Sequence, residues 1–211
     1  NAELADGELR KRRGRKLYIS TFVVYPTHFI LTTSGGDDPG TAGSGAADDW
    51  VAEVSDGNTA TSSGTLATAN LRLYVSFARP VRNATFTLST VNTTACTMTV
   101  EYWNGTAWTA VSSLSDGTLS GTTSFGQSGT VGWTQPTDQV PLALSFDGST
   151  TIQRTRGGTP YYGDEQDYFY RITFSATLSA ATAVSACTSS FAAIKGEVNG
   201  AAEWIGPTGA R

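Results

Sequence analysis

The feature that most constrains the fold is a period-two alternation of apolar and polar residues, repeated in short runs and broken by turn formers. In residues 71–77, Leu71, Leu73, Val75 and Phe77 alternate with Arg72, Tyr74 and Ser76. In 168–174, Tyr168, Tyr170, Ile172 and Phe174 alternate with Phe169, Arg171 and Thr173, so both faces are apolar enough for a central strand. Further runs fall at 84–88, 96–103, 108–111, 129–133 and 184–194, and residues 17–31 form a β-branched run broken near Pro26. Asn104-Gly105 between two aromatic-rich runs predicts a hairpin, and Asp116-Gly117 predicts another turn. From Trp50 onward no 3.6-residue period emerges. Composition agrees: 33 Thr and 21 Ser counted along the chain, with 23 Gly, replace charge, which stands at 15% against about 25% in ordinary domains. Thr packs well on a pleated surface, and Ser and Gly suit turns. Strands at this spacing with no helices between them predict an all-β sandwich or barrel.

Charge divides the 211-residue chain unevenly. Residues 1–16 hold six basic groups (Arg10, Lys11, Arg12, Arg13, Arg15 and Lys16) against Glu3, Asp6 and Glu8, a balance of +3. The other 195 residues hold eight basic and 15 acidic groups, a balance of −7. The expected organisation is therefore a basic N-terminal arm at 1–16, with a helical turn around Leu4 and Leu9, then a sandwich at 17–194. A Gly-rich C-terminal tail follows at 195–211, anchored by Trp204 and Ile205. An acidic body does not bind nucleic acid by a general electrostatic route, which leaves only the arm for that role.

No apolar stretch is long enough to span a membrane. The basic region before residues 18–31 lacks a small-residue cleavage site after it, so no signal peptide is expected. Cys96 and Cys187 each sit in an alternating apolar pattern, which favours two buried free thiols over one long-range disulfide.

Two segments carry a family resemblance. The first is Val54-Ser55-Asp56-Gly57-Asn58-Thr59-Ala60-Thr61, followed by 71–81 with its Arg79-Pro80-Val81 corner. The second is the hairpin segment 100–111, Val-Glu-Tyr-Trp-Asn-Gly-Thr-Ala-Trp-Thr-Ala-Val. Together they resemble the galactose-binding-like jelly rolls of the discoidin, or coagulation-factor type C, group. That resemblance implies a jelly-roll β-sandwich with extended N- and C-terminal arms. It also implies a structural calcium at the first turn, with Asp56 giving a carboxylate, Asn58 a carbonyl and Thr61 its hydroxyl or carbonyl. The sequence departs from the family in having Ser62 where an aromatic residue usually follows, and no acidic residue within 184–194. A plain Asp-Gly turn capped by Asp56 accounts for the same residues. Over 101–180 the chain is also similar to a module of tailed-bacteriophage virion structural proteins.

Candidate chemistry is sparse. His28 is the only histidine and lies in an apolar run, where a satisfied structural role is expected rather than that of a catalytic base. Asp37-Asp38, Asp48-Asp49 and the set Asp164, Glu165 and Asp167 read as solvated turn carboxylates, the last alternatively as a second calcium loop. Trp103, Trp108, Trp133, Tyr161 and Tyr162 are candidates for a carbohydrate-stacking platform, with core packing as the plainer alternative. Asn83, Asn92 and Asn104 head Asn-x-Thr sequons.

The expectation is a non-catalytic virion component of an extracellular particle, in a decoration, neck, tail or baseplate position. It would assemble with copies of itself and other virion proteins through its arms, without a membrane. The alternative is a carbohydrate-binding module that takes a glycan with loop aromatics, Trp103, Trp108, Tyr161 and Tyr162, and holds calcium.

Overall fold

A strand with apolar residues on both faces can only be stable between two other strands and under cover on both sides, and 168–174 obeys this. The computed structural model describes the backbone of residues 4–5, 8–11, 15–32, 47–143, 155–156, 159–160, 166–198 and 201–207. It describes side chains within 21–32, 49–142 and 166–191. The chain divides into two units: Tyr25–Ser189, and the chain ends Asn1–Val24 with Ser190–Arg211.

The chain-end unit contains β1 (Leu4–Ala5), β2 (Glu8–Lys11), β3 (Arg15–Val24), the second half of β16 (Ala183–Val198) and β17 (Ala201–Pro207). β1, β2, β3 and β16 are successive neighbours, and β17 pairs with β16. Phe22 of β3 stacks on Phe191 of β16 with ring centroids 5.6 Å apart. The helical turn expected around Leu4 and Leu9 is instead a pair of antiparallel strands. Leu4 lies opposite Leu9 and Leu9 opposite Leu17, an apolar row across the ladder that a helical turn would not give.

The larger unit holds β4 (His28–Thr32), β5 (Ala47–Asp49), α1 (Val51–Ser55), β6 (Arg72–Phe77), β7 (Asn83–Thr90), β8 (Met98–Trp103) and β9 (Trp108–Ala110). After these come β10 (Ser112–Asp116), β11 (Gly129–Thr134), β12 (Leu142–Ala143), the short pair β13 (Thr155–Arg156) and β14 (Thr159–Pro160), and β15 (Gln166–Phe174). One sheet runs β5-β4-β6-β15-β8-β9, with β12 also on β15; the other runs β16-β7-β11-β10. Among the described residues these strands pair antiparallel, and the single-turn α1 is the one helix. The unit is an all-β sandwich.

Its core is what the alternation predicts. Leu73, Val75, Phe77, Tyr170, Ile172, Met98, Val100 and Tyr102 are buried from one sheet, and Ala84, Phe86, Val131, Trp133 and Cys187 from the other. Rings bridge the layers: Trp133 meets Tyr170 at 4.9 Å and Phe125 meets Phe174 at 5.1 Å. The hydroxyl-rich composition has a structural counterpart. Among the described residues eight Ser and Thr are buried (Thr32, Ser63, Ser76, Thr118, Ser124, Thr182, Ser185 and Ser189), and every one makes a side-chain hydrogen bond.

Candidate functional site

The register of the larger sheet puts one set of chemically distinctive residues on the face opposite the sandwich core. Asp49 lies opposite Ile30, Ile30 opposite Tyr74, Tyr74 opposite Arg171, and Arg171 opposite Glu101. The next row is His28, Ser76 and Phe169, reached by the same pairings. Residues two apart on a strand share a face, so both rows crowd one side of the sheet. Ile30, Tyr74 and Phe169 form a fully buried cluster there, with Trp108 and Leu142 packed against it.

His28 is held at the edge of this cluster. Its Nδ1 lies 2.7 Å from Oδ2 of Asp49, and its Nε2 lies 3.3 Å from Oδ2 of Asp167. Its ring lies parallel to Phe169 at 5.8 Å. All three ionisable side chains are buried, their side-chain exposures being 3–7%. Asp49 is fixed further, because its Oδ1 accepts from the backbone N–H groups of Phe29 and Val51. The Nδ1 contact is a hydrogen bond, whereas the Nε2 approach to Asp167 is an ion-pair distance without hydrogen-bond geometry.

Asp49 and Asp167 are a correction to the reading of these carboxylates as solvated. Asp49 occupies the end of an edge strand paired to β4, and Asp167 begins the central strand β15, so the ladder carries both inward. No local signal marks either residue. Asp37, Asp38, Asp164 and Glu165 lie outside the described residues.

Beyond His28, an aromatic and charged group lines the same face. Arg171 Nε donates to Oε2 of Glu101 at 2.7 Å, and the guanidinium lies 4.9 Å from the Trp108 ring centroid. Trp108 also meets Tyr74 at 5.5 Å and Trp103 at 5.6 Å, both tilted. The two tryptophans face each other across the β8–β9 ladder, each half-buried. The structure thus brings Trp103 and Trp108 together; Tyr161 and Tyr162 lie outside the described residues. Trp133 leaves the carbohydrate set: it is buried, and its Nε1 donates to the carbonyl of Val81 at 3.0 Å.

The proposed calcium residues are also brought together, in one turn after α1. Oδ1 of Asp56 accepts from the Asn58 N–H at 2.7 Å, and Oδ2 accepts from the Thr61 hydroxyl at 2.9 Å. That hydroxyl also lies 2.7 Å from the Asn58 carbonyl, and Gly57 takes a positive φ of 73°. The oxygens that a cation would need are engaged with one another, as in a self-capped Asx turn. No group of three His, Cys, Asp or Glu suited to a metal ion occurs among the described residues.

The remaining candidates resolve as structural. Cys96 and Cys187 are buried and unbridged, and burial raises the pKa of both thiols, which holds them as poor nucleophiles. Asn92 is buried, its amide donating to the carbonyls of Thr94 and Ser124. Asn104 caps its hairpin by accepting from the N–H groups of Thr106 and Ala107. Of the basic arm residues, Arg10 and Lys11 fall on β2 and Arg15 and Lys16 on β3, while Arg12 and Arg13 lie outside the described residues.

No protein-family model matches the chain, and neither a curated protein nor a solved structure matches it significantly.

Proposed function

We propose that the chain is a non-catalytic structural component of a tailed-phage virion, a galactose-binding-like jelly roll that assembles through its chain ends. The observation that carries this reading is the division of the molecule: both termini fold as strands in a unit of their own, outside the sandwich Tyr25–Ser189. Paired terminal strands give a subunit an interface element that the sandwich need not supply. The jelly-roll part is supported by connectivity. The chain changes sheet between β6 and β7, β7 and β8, β9 and β10, β11 and β12, and β15 and β16, and crossing between layers is a feature that double-sheet rolls share. Imaging of particles from the native source tests it. Symmetric copies at a head, neck, tail or baseplate position are the expected result. A chain found only free in solution, or one with turnover abolished by a single carboxylate substitution, defeats the proposal.

One observation favours carbohydrate binding as a second reading: the half-buried Trp103–Trp108 pair beside the Arg171–Glu101 ion pair. Sugars stack on such rings and hydrogen-bond such charges. Glycan-array retention that is lost on Trp103→Ala would establish it. Calcium at Asp56, Asn58 and Thr61 belongs to the same proposal, and a calcium-dependent rise in melting temperature would support it.

A further inference from the structure

We infer that Asn104-Gly105 is a site of self-modification, where the chain slowly converts its own asparagine into aspartate and isoaspartate through a cyclic imide. The hydrogen bonds that cap the β8–β9 hairpin also arrange the reacting groups. Oδ1 of Asn104 accepts from the N–H of Thr106 at 3.0 Å, which folds the side chain over the intervening Gly105 peptide. The same oxygen accepts from the Ala107 N–H at 2.8 Å and from the Thr106 hydroxyl at 3.0 Å. At the other end of the amide, Nδ2 donates to the Thr109 hydroxyl at 3.1 Å. The side-chain amide is thus held in place beside Gly105. That glycine is exposed at a φ of 97°, and it has no Cβ to shield its backbone nitrogen.

The Gly105 nitrogen attacks Cγ of Asn104 and closes the imide ring. Negative charge develops on Oδ1 as that bond forms, and three donors already point at this oxygen. Holding the amide and the nucleophile together removes much of the entropy cost of meeting. The proton on the Gly105 nitrogen passes through solvent to Nδ2, the Cγ–Nδ2 bond breaks, and ammonia leaves. Water then opens the ring by adding to one of its carbonyls, and the ring C–N bond breaks. Addition at the side-chain carbonyl gives aspartate, and addition at the backbone carbonyl gives isoaspartate. Either product places a carboxylate directly after Trp103, at the end of the Trp103–Trp108 pair, where the amide carried no charge.

Incubation of the full chain at neutral pH tests this, with peptide mass spectrometry and isoaspartate-specific methylation as the readouts. The chain holds a second Asn-Gly, Asn199-Gly200, which in the urea-unfolded chain reports the rate of the bare dipeptide. Asn104 in the native chain is expected to react at least about tenfold faster than Asn104 in the unfolded chain. That gain is below the roughly 10²–10³ that one donor supplies in a water-excluded site, because this turn is open to solvent. Thr106→Val removes the hydroxyl donor alone and is expected to slow the native reaction about threefold or more, leaving the unfolded rate unchanged. Should that variant distort the hairpin, the native-against-unfolded comparison in the wild type still decides. A native rate equal to or below the unfolded one overturns the proposal, since the same hydrogen bonds then only lock the amide. Aspartate without isoaspartate also overturns it, because direct hydrolysis passes through no ring.

Discussion

His28 illustrates how much a single side chain can be asked to hold. Taking three ionisable groups out of water costs several kcal/mol for each ion, and only close pairing offsets it. Here Asp49 and Asp167 face the two ring nitrogens, and backbone donors fix Asp49 from behind. Removing the middle group leaves two buried carboxylates facing each other. His28→Ala is therefore expected to lower stability by about 3–5 kcal/mol, read as a fall in the urea midpoint; a loss under about 1 kcal/mol would mean that water reaches the cluster. Tyr170 is a second such residue. Its hydroxyl accepts from the Val81 N–H at 2.9 Å and lies 2.7 Å from the Val81 carbonyl and 2.8 Å from Oε1 of Gln139, gripping the Pro80-Val81 corner. Burial is the main cause that raises its pKa from 10.0 to about 12. A raised value means that the folded state keeps a proton the unfolded chain loses. The resulting stability is fully present below pH 10.0 and is lost as pH rises through about 12. Denaturation midpoints should thus fall above pH 10.0 in the wild type and fall less steeply in Tyr170→Phe. The sequence shows His28 in an apolar run and Tyr170 on a central strand. It hides their partners, because Asp49 and Asp167 reach His28 through strand register and Val81 reaches Tyr170 from the corner between β6 and β7.

At the scale of elements, local chemistry decides what can be read. The β8–β9 hairpin is legible because its turn carries its own instructions: Gly105 adopts a φ of 97° and Asn104 caps the loop. The Tyr18–Leu31 region divides at Pro26 for the same reason, into β3 and β4. By contrast α1 is a single turn, too short to show a period, and it forms where Asp49 accepts from the Val51 N–H at its start. The segment after Asp116-Gly117 also exceeds its sequence signal. Asp116 accepts from the Thr118 N–H and from the Ser124 hydroxyl, and Thr118 in turn accepts from the Phe125 N–H. This network holds Phe125 at a φ of 57° and points its fully buried ring at Phe86 and Phe174. A loop thus supplies a core side chain. The loop closes by backbone contact, since a Cβ on Gly129 would sit 2.1 Å from the carbonyl oxygen of Gly117. Gly129→Ala must push these backbones apart, and a loss of about 1–3 kcal/mol is expected in chemical denaturation. An unchanged midpoint would show that the β10–β11 end of the sheet is free to shift.

For the molecule as a whole, the order of strands follows from the number of apolar faces each strand carries. A strand with two apolar faces needs neighbours on both sides and cover above and below. β6 and β15 meet that condition, with Leu73 to Phe77 all buried and Phe169, Tyr170 and Ile172 buried from both faces of β15. β9 and β10, with mostly exposed or half-exposed residues, take the edges of their sheets. Class and the central place of β15 were therefore legible from alternation alone, whereas 71–77 reads only as an alternating run and its burial on both faces does not show in the sequence. The pairing order was not legible either, because alternation says which face is buried and nothing about which neighbour lies alongside. The order has a dynamic consequence. Amides open either locally or with the global unfolding of the unit, and central strands buried on both faces open last. Hydrogen exchange read by mass spectrometry should therefore find peptides from β6 and β15 the slowest in the chain, with β9 and β10 faster. If β9 exchanged as slowly as β15, its outer edge would have to be covered in solution, which would locate an interface on the Trp103–Trp108 hairpin.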